Sequence, residues 1–192
     1  MPRAGDGEAG TGDAARRQDR SSQAMETLAA ALAAARSAAE GQRLLAESLR
    51  AMTGALAVSV SQFDPQAGKL RVGHVAAAAE VLESARRVLG QPLQSLDLRP
   101  GASLATILHG PWAVEFGGLR EVFFGQVPQQ LVQDLELALN LGRAYGLALR
   151  HGEELLGAAT VFMSRGGGGP GIADLASWAR TLSEALWRQR AR

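Results

Sequence analysis

The stretch Gly146–Phe162, GLALRHGEELLGAATVF, decides the fold that this sequence predicts. Residues Arg143–Leu149 alternate in character, with three large apolar side chains on one face of an extended chain. Leu155–Met163 is a second apolar run, and residues 150–153 between the two runs have the composition of a turn. The pattern therefore predicts two antiparallel strands that form a hairpin.

A second hairpin is predicted earlier in the chain, where Ala55–Phe63 alternates, Asp64–Gly68 is a turn and Lys69–Val75 returns. Trp112–Phe116 is predicted to be a shorter strand. Apolar residues at helical spacing predict five helical segments, which are Gln23–Thr53 with a break near Gly41, Glu80–Leu89, Ala102–Leu108, Pro128–Asn140 and Ile172–Arg190. Hairpins with helices before, between and after them indicate an α+β fold rather than a doubly wound parallel sheet.

The composition predicts one globular domain behind a polar tail. The chain has 192 residues, of which 46% are hydrophobic, and its formal net charge of +1 argues against nucleic-acid binding. Residues 1–20 are rich in glycine, alanine and charge, which predicts a disordered tail and a single domain over residues 21–192. No segment has the apolar length of a membrane span or the apolar core of a signal peptide, so we expect a cytoplasmic protein.

The loop SRGGGGPGI, residues 164–172, matches the letters of the G-x-G-x-x-G motif at Gly166, Gly168 and Gly171. A dinucleotide-binding loop opens a βαβ unit, in which a second strand and an acidic residue follow about 20 residues further on. Here one helical segment follows and no second strand does. The glycines are therefore interpreted as a linker to the closing helix.

In the order of these elements the sequence resembles the GAF family of small-molecule sensor domains. In that family a strand, a turn of the form polar-Gly-polar and a strand reading apolar-Gly-apolar follow one another, and Gly152 and Gly157 occupy the two glycine positions. Three other segments agree with the family in order: Leu49–Ala76, Arg86–Leu93 and the closing helix Ile172–Leu186.

The resemblance implies a central antiparallel sheet of five or six strands, with the first and last helices on one face and the middle helices and loops on the other. It also implies a non-catalytic signalling domain of bacterial type, which senses a small molecule and/or dimerises to regulate a partner such as a histidine kinase or a transcription regulator. The alternative is a purely structural interaction module with no ligand pocket.

Five aromatic residues are the candidate ligand-binding residues, because the resemblance places the segment that contains most of them over the pocket. An apolar pocket with few polar anchors is a common form of small-molecule site. The alternative is that the same side chains fill a core. The five residues are Trp112, Phe116, Phe123, Phe124 and Tyr145.

The sequence offers no constellation for catalysis, a metal or a cofactor, so we expect no enzyme. It contains no cysteine, which excludes the covalent bilin attachment of phytochrome-like GAF domains and the catalytic thiols of the methionine sulfoxide reductases of this family. Its three histidines, at positions 74, 109 and 151, are not at metal-ligand spacing, and no G-x-S-x-G elbow is present. The cyclic-nucleotide signature of the family also has no match.

Trp187 lies off the main apolar stripe of the closing helix, which suggests a second apolar seam. Since GAF domains often dimerise through their terminal helices, the residue is a candidate for a homodimer interface. The alternative is that Trp187 packs across its own domain.

Overall fold

The computed structural model describes the backbone of residues 9–191 and the side chains of residues 19–191. Its helices are α1 (Ala9–Ala34), α2 (Ala38–Thr53), α3 (Ala79–Leu89), α4 (Ser103–His109), α5 (Leu119–Val122), α6 (Gln129–Ala138) and α7 (Ile172–Arg190). Its strands are β1 (Ala57–Asp64), β2 (Lys69–Ala77), β3 (Asp97–Leu98), β4 (Ala113–Phe116), β5 (Leu141–His151) and β6 (Glu154–Ser164). None of the described helices combines the length and the apolarity that crossing a membrane requires.

The six strands form one sheet in the order β3-β2-β1-β6-β5-β4, and all neighbouring pairs are antiparallel. Both predicted hairpins are present, as β1–β2 and β5–β6, and β1 pairs with β6 at the centre of the sheet. The sixth strand, β3, is a two-residue edge strand within a stretch that gave no strand pattern. The predicted α+β class and antiparallel sheet are confirmed.

One face of the sheet is covered by the first two helices and the last one. Large side chains of the central strands, such as Val58, Leu147 and Val161, pack there against α1, α2 and α7 in a single core cluster. Leu32, Leu45 and Leu182 are completely buried at this interface. Burial of such side chains is worth about 1.5–3 kcal/mol each, so this layer supplies most of the hydrophobic stabilisation of the fold.

The other face of the sheet is covered by α3, α4, α5 and α6. A second core cluster forms there around residues such as Leu70, Val122 and Leu135. This arrangement agrees with the prediction that the terminal helices and the middle helices lie on opposite faces.

The break in the first helical segment lies at residues 35–37 and not near Gly41. Ser37 is the N-cap of α2, where its hydroxyl accepts a hydrogen bond of 3.1 Å from the backbone N–H of Glu40. Gly41 is helical, and a Cβ built on it would lie 3.2 Å from the side chain of Gln189 in α7. The glycine therefore allows close approach of α7 instead of breaking the helix.

Helix α1 begins within the segment that was predicted to be a disordered tail. Residues 1–8 of that segment lie outside the described residues, and residues 9–20 are the first turns of α1. Alanine, arginine and glutamine, which dominate residues 14–18, are strong helix formers. The prediction considered only apolar burial and gave no weight to this propensity.

The glycine-rich loop, residues 165–171, joins β6 to α7. Because β6 is antiparallel to both of its neighbours, the loop does not open a βαβ unit. This topology agrees with the interpretation of the loop as a linker.

Gly157 in β6 is a position where the fold requires the absence of a side chain. A Cβ built there would overlap the carbonyl oxygen of Ser61 and lie 3.2 Å from its carbonyl carbon, both of which belong to the backbone of β1. We expect Gly157→Ala to lower the free energy of unfolding by about 1–3 kcal/mol, because the central strand pair must move apart. Urea denaturation followed by circular dichroism measures the change.

Gly168→Ala is the matched control, since a Cβ there meets no atom within 4 Å and the backbone φ of Gly168 is not positive. Its effect should stay within about 1 kcal/mol. Equal stability of the two variants would contradict the close approach of β1 and β6.

Candidate functional site

A cavity of about 670 Å³ lies between the sheet and the middle helices. Its floor consists of the side chains that β1, β5 and β6 direct away from α1, α2 and α7. All of these are small except at the strand ends: Ala57, Ser59 and Ser61 on β1, Gly146 and Ala148 on β5, and Ala158 and Thr160 on β6. Side chains of this size do not reach the middle helices, so space remains between the two layers.

The walls of the cavity are predominantly apolar. Helix α3 contributes Val81, Leu82 and Ala85, and α4 contributes Thr106 and Ile107. The segment around β4 and α5 closes a further side with aromatic rings. The edge at β3 is lined by Leu93, Leu96 and Leu98.

Three of the five predicted ligand-binding residues line this cavity, namely Phe116, Phe123 and Phe124. Gly146 makes room for the first of them, because a Cβ built on Gly146 would lie 2.6 Å from the Phe116 ring. Phe124 adopts a positive φ of 50°, just before Gly125 with a φ of 70°. The turn after α5 thus holds the Phe123 and Phe124 side chains beside one another at the wall.

The other two predicted residues, Trp112 and Tyr145, lie outside the cavity. Tyr145 is next to Gly146 in β5, so the alternation of the strand directs its ring to the face of α1, α2 and α7, where it is buried. Trp112 precedes β4, and its ring packs under two guanidinium groups, at 4.4 Å from that of Arg150 and 5.9 Å from that of Arg180. Trp112 and Tyr145 are close in sequence to residues of the cavity wall, but their rings do not face the cavity.

Three hydroxyl groups on the cavity floor, those of Ser59, Ser61 and Thr160, escaped the sequence-based prediction. Ser59 and Thr160 are direct cross-strand partners, and Ser61 follows two residues later on β1. None of the three makes a side-chain hydrogen bond within residues 19–191. Since every fully buried polar side-chain atom in that part of the chain has a partner, the three unpartnered oxygens are not fully buried. They are therefore open to the cavity that they line. The alternation of serines with valines in β1 is the sequence signal from which two of them could have been predicted.

The charged residues that line the cavity lie at its rim, and each of them has a polar partner there. Glu115 is 3.7 Å from Arg143, and the Glu121 carboxylate accepts a 3.1 Å hydrogen bond from the backbone N–H of Gly117. Arg120 donates to the side chain of Gln129 at 3.2 Å. All three rim residues are exposed, so the floor and walls provide an uncharged environment.

Arg150, at the end of β5, fixes the position of the cavity wall formed by α4. Its side chain is buried, with 6% of the residue exposed, and it donates hydrogen bonds to the carbonyl oxygens of Ile107 (2.6 Å), Leu108 and Gly110 (2.6 Å). These carbonyls belong to the last turn of α4 and the residue that caps it, which have few partners within the helix. A positive charge there also complements the helix dipole.

The same residue connects this wall to α7 on the opposite face. The backbone N–H of Arg150 donates a 3.0 Å hydrogen bond to the hydroxyl of Ser183, which is itself buried in α7. Burial and the neighbouring Arg180 lower the pKa of Arg150, but a guanidinium remains protonated at neutral pH. Arg150 is therefore a cationic link between α4, β5 and α7.

The remaining titratable groups do not form a second site in the described part of the chain. Residues 19–191 contain no group of three or more histidine or acidic side chains arranged to hold a metal ion. His151 is 3.1 Å from Glu184, and its ring stacks on that of Trp187 with centroids 4.4 Å apart. Trp187 thus packs within its own chain, which was the alternative to an exposed dimer seam.

We expect Arg150→Ala to lower the free energy of unfolding by about 2–4 kcal/mol, because three carbonyls of the α4 terminus lose a charged donor. Hydrogen exchange should locate the effect, with a loss of protection in α4 that exceeds the loss in α2. Arg165→Ala, at an exposed position of the loop after β6, is the matched control and should change stability by less than about 0.5 kcal/mol. Unchanged protection of α4 in Arg150→Ala would show that the guanidinium does not hold this wall.

No protein-family model and no curated protein matches the sequence. Solved structures do match the fold. The GAF domain of a cyanobacteriochrome is similar with a TM-score of 0.60 and 15% identity, over 84% of this chain and 96% of that one.

Two other solved structures extend the comparison. The chromophore-binding domain of a Stigmatella aurantiaca bacteriophytochrome has a TM-score of 0.59 and 14% identity, over 90% of this chain and 60% of that one. The free methionine-R-sulfoxide reductase of Neisseria meningitidis has a TM-score of 0.59 and 12% identity, over 89% and 90% of the two chains. The chain spans about 60% of the length of the bacteriophytochrome domain. Together with the sheet order and the placement of the helices, these matches show that the chain has the fold of a GAF domain.

Proposed function

We propose that residues 21–192 act as one cytoplasmic GAF-like sensor domain that binds a small molecule without converting it. The observation that carries this proposal is the cavity of about 670 Å³, which falls within the range of about 300–1,000 Å³ that small-molecule sites occupy. Phe116, Phe123 and Phe124 are the proposed aromatic contacts of the ligand. The phytochrome and cyanobacteriochrome domains of the same fold support a signalling role.

The cavity favours sensing over the alternative of a purely structural interaction module, since such a module has no need for space between its layers. A non-catalytic role is proposed although one protein of the same fold is a reductase. The sequence has no cysteine, and the residues that line the cavity include neither histidine nor lysine. The side chains around a bound molecule are thus suited to contact and not to nucleophilic or redox chemistry.

The proposed output passes from the cavity to the terminal helices. Helix α4 forms part of the wall, and Arg150 connects it to Ser183 in α7. Helix α7 packs against α1, so a shift of α4 on ligand binding would alter the surface that the two terminal helices present. A partner such as a histidine kinase or a transcription regulator would read that surface.

Filling the cavity should weaken ligand binding. We expect the fluorescent probe N-phenyl-1-naphthylamine to bind the wild type saturably, with one site per chain. Ala158→Phe directs a large ring into the cavity and should weaken binding at least about tenfold, whereas Ala173→Phe, the same change at an exposed site of α7, should not. Circular dichroism establishes that both variants are folded. Equal affinities of the wild type and a folded Ala158→Phe variant would refute a binding site in this cavity.

Homodimerisation through α1 and α7 is the other part of the proposal. Static light scattering at high micromolar concentration should give the mass of a dimer. Arg188→Glu, at an exposed position of α7, should shift the monomer–dimer equilibrium toward the monomer, because it reverses a charge on the helix through which the proposed dimer associates. A wild type that stays monomeric at this concentration would exclude a stable dimer without affecting the proposed ligand site.

A further inference from the structure

We infer that the ligand of this cavity is a neutral, largely apolar molecule whose polar end hydrogen-bonds to the floor hydroxyls of Ser59, Ser61 and Thr160. The inference rests on the proposed function, because it specifies the chemical class of the molecule that the cavity takes. It is carried by two independent observations, which are the placement of the hydroxyls and the distribution of charge.

The three hydroxyls lie close enough together to hold one polar group. Ser59 and Thr160 are opposite each other on antiparallel strands, which places their Cβ atoms about 4.5–5.5 Å apart. Ser61 lies on the same face of β1, about 7 Å further along the strand. A polar group of the ligand that enters between Ser59 and Thr160 can therefore contact both hydroxyls. The Ser61 hydroxyl is then within reach of a neighbouring atom of the ligand.

A hydroxyl both donates and accepts a hydrogen bond. The floor can therefore pair with a carbonyl, a hydroxyl, an amide or an amine of the ligand. Since these hydroxyls have no partner among the described residues, the pairing would not break an existing protein hydrogen bond. This feature distinguishes the floor from the rim, where polar groups already have partners.

The distribution of charged side chains makes the cavity floor unsuitable for an anionic ligand group. A carboxylate or a phosphate at the floor would lose its hydration, and the walls offer it no cationic side chain. Arg120 is the one basic residue among the lining side chains, and it lies exposed at the rim, where it donates to Gln129. Arg150 is directed to the α4 carbonyls and is not among the lining residues.

The rest of the lining fits the apolar part of such a ligand. Phe116, Phe123, Phe124 and Phe162 present rings to the space, and aliphatic side chains of α3 complete the wall. Aromatic rings favour offset or edge-to-face contact with a flat apolar molecule. The cavity therefore combines one polar end at the sheet with an apolar body below the middle helices.

Three probes of matched shape test the inference on the full chain. N-phenyl-1-naphthylamine is neutral and carries one N–H donor, 8-anilino-1-naphthalenesulfonate adds a sulfonate to the same skeleton, and 1-benzylnaphthalene replaces the N–H by CH₂. Fluorescence titration gives the affinities of the first two, and displacement of the first gives that of the third. We expect the neutral amine to bind about tenfold more tightly than the sulfonate, because the floor has no cation.

Hydroxyl deletions test the polar contact. Thr160→Val keeps the shape of the side chain, and Ser59→Ala removes one oxygen. Each should weaken binding of the amine about three- to tenfold and leave binding of 1-benzylnaphthalene unchanged. Ser177→Ala, at an exposed position of α7, is the control and should change neither affinity.

The outcomes separate the inference from the function on which it rests. Binding of the sulfonate as tightly as the amine would overturn the neutral class while the cavity remained a ligand site. An unchanged amine affinity in both hydroxyl variants, or an equal loss for 1-benzylnaphthalene, would overturn the contact with the floor. Failure of all three probes to bind the wild type would count against both the inference and the proposed sensing function.

Discussion

Over most of their length, β1, β5 and β6 carry large side chains on only one face, and the architecture depends on this constraint. In β1, β5 and β6 the residues directed toward α1, α2 and α7 are valines, leucines and other bulky groups, which form a tightly packed layer. The residues directed the other way are glycine, alanine, serine and threonine over most of these three strands. Packing on one face fixes the sheet, and the small residues on the other face leave room beneath the middle helices.

Two further features shape that space. Glycines at positions 146 and 157 allow the Phe116 ring and the backbone of β1 to approach the strands closely, where a Cβ would collide with them. Arg150 holds α4 at its distance from the sheet by binding the carbonyls at its end. Desolvation of a guanidinium is costly, and the hydrogen bonds, the α4 dipole and the ring of Trp112 offset this cost. The wall is therefore positioned by a specific polar contact in addition to apolar packing.

Period-two and helical patterns were sufficient to predict the hairpins, the helices other than the one-turn α5, and the α+β class, because these patterns depend on local burial. They did not locate the helix break, which is set by the Ser37 cap, or the two-residue strand β3, which is too short to show a period. Of the five aromatic residues, Phe116, Phe123 and Phe124 line the cavity, but Tyr145 and Trp112 face other surroundings. Alternation along a strand shows which side chains share a face, but it does not show which face is filled by packing against the helices. For the same reason the hydroxyls of Ser59 and Thr160 became significant only when the cavity was visible.

The central claim is that the space between the sheet and the middle helices is an open, predominantly apolar cavity. A crystal structure determined under xenon pressure tests this claim directly, because xenon occupies apolar cavities of sufficient size. The account predicts a xenon site bounded by Ala158 and Phe116, with α4 in place over the sheet. A structure in which the middle helices rest on the sheet and leave no xenon site there would contradict it.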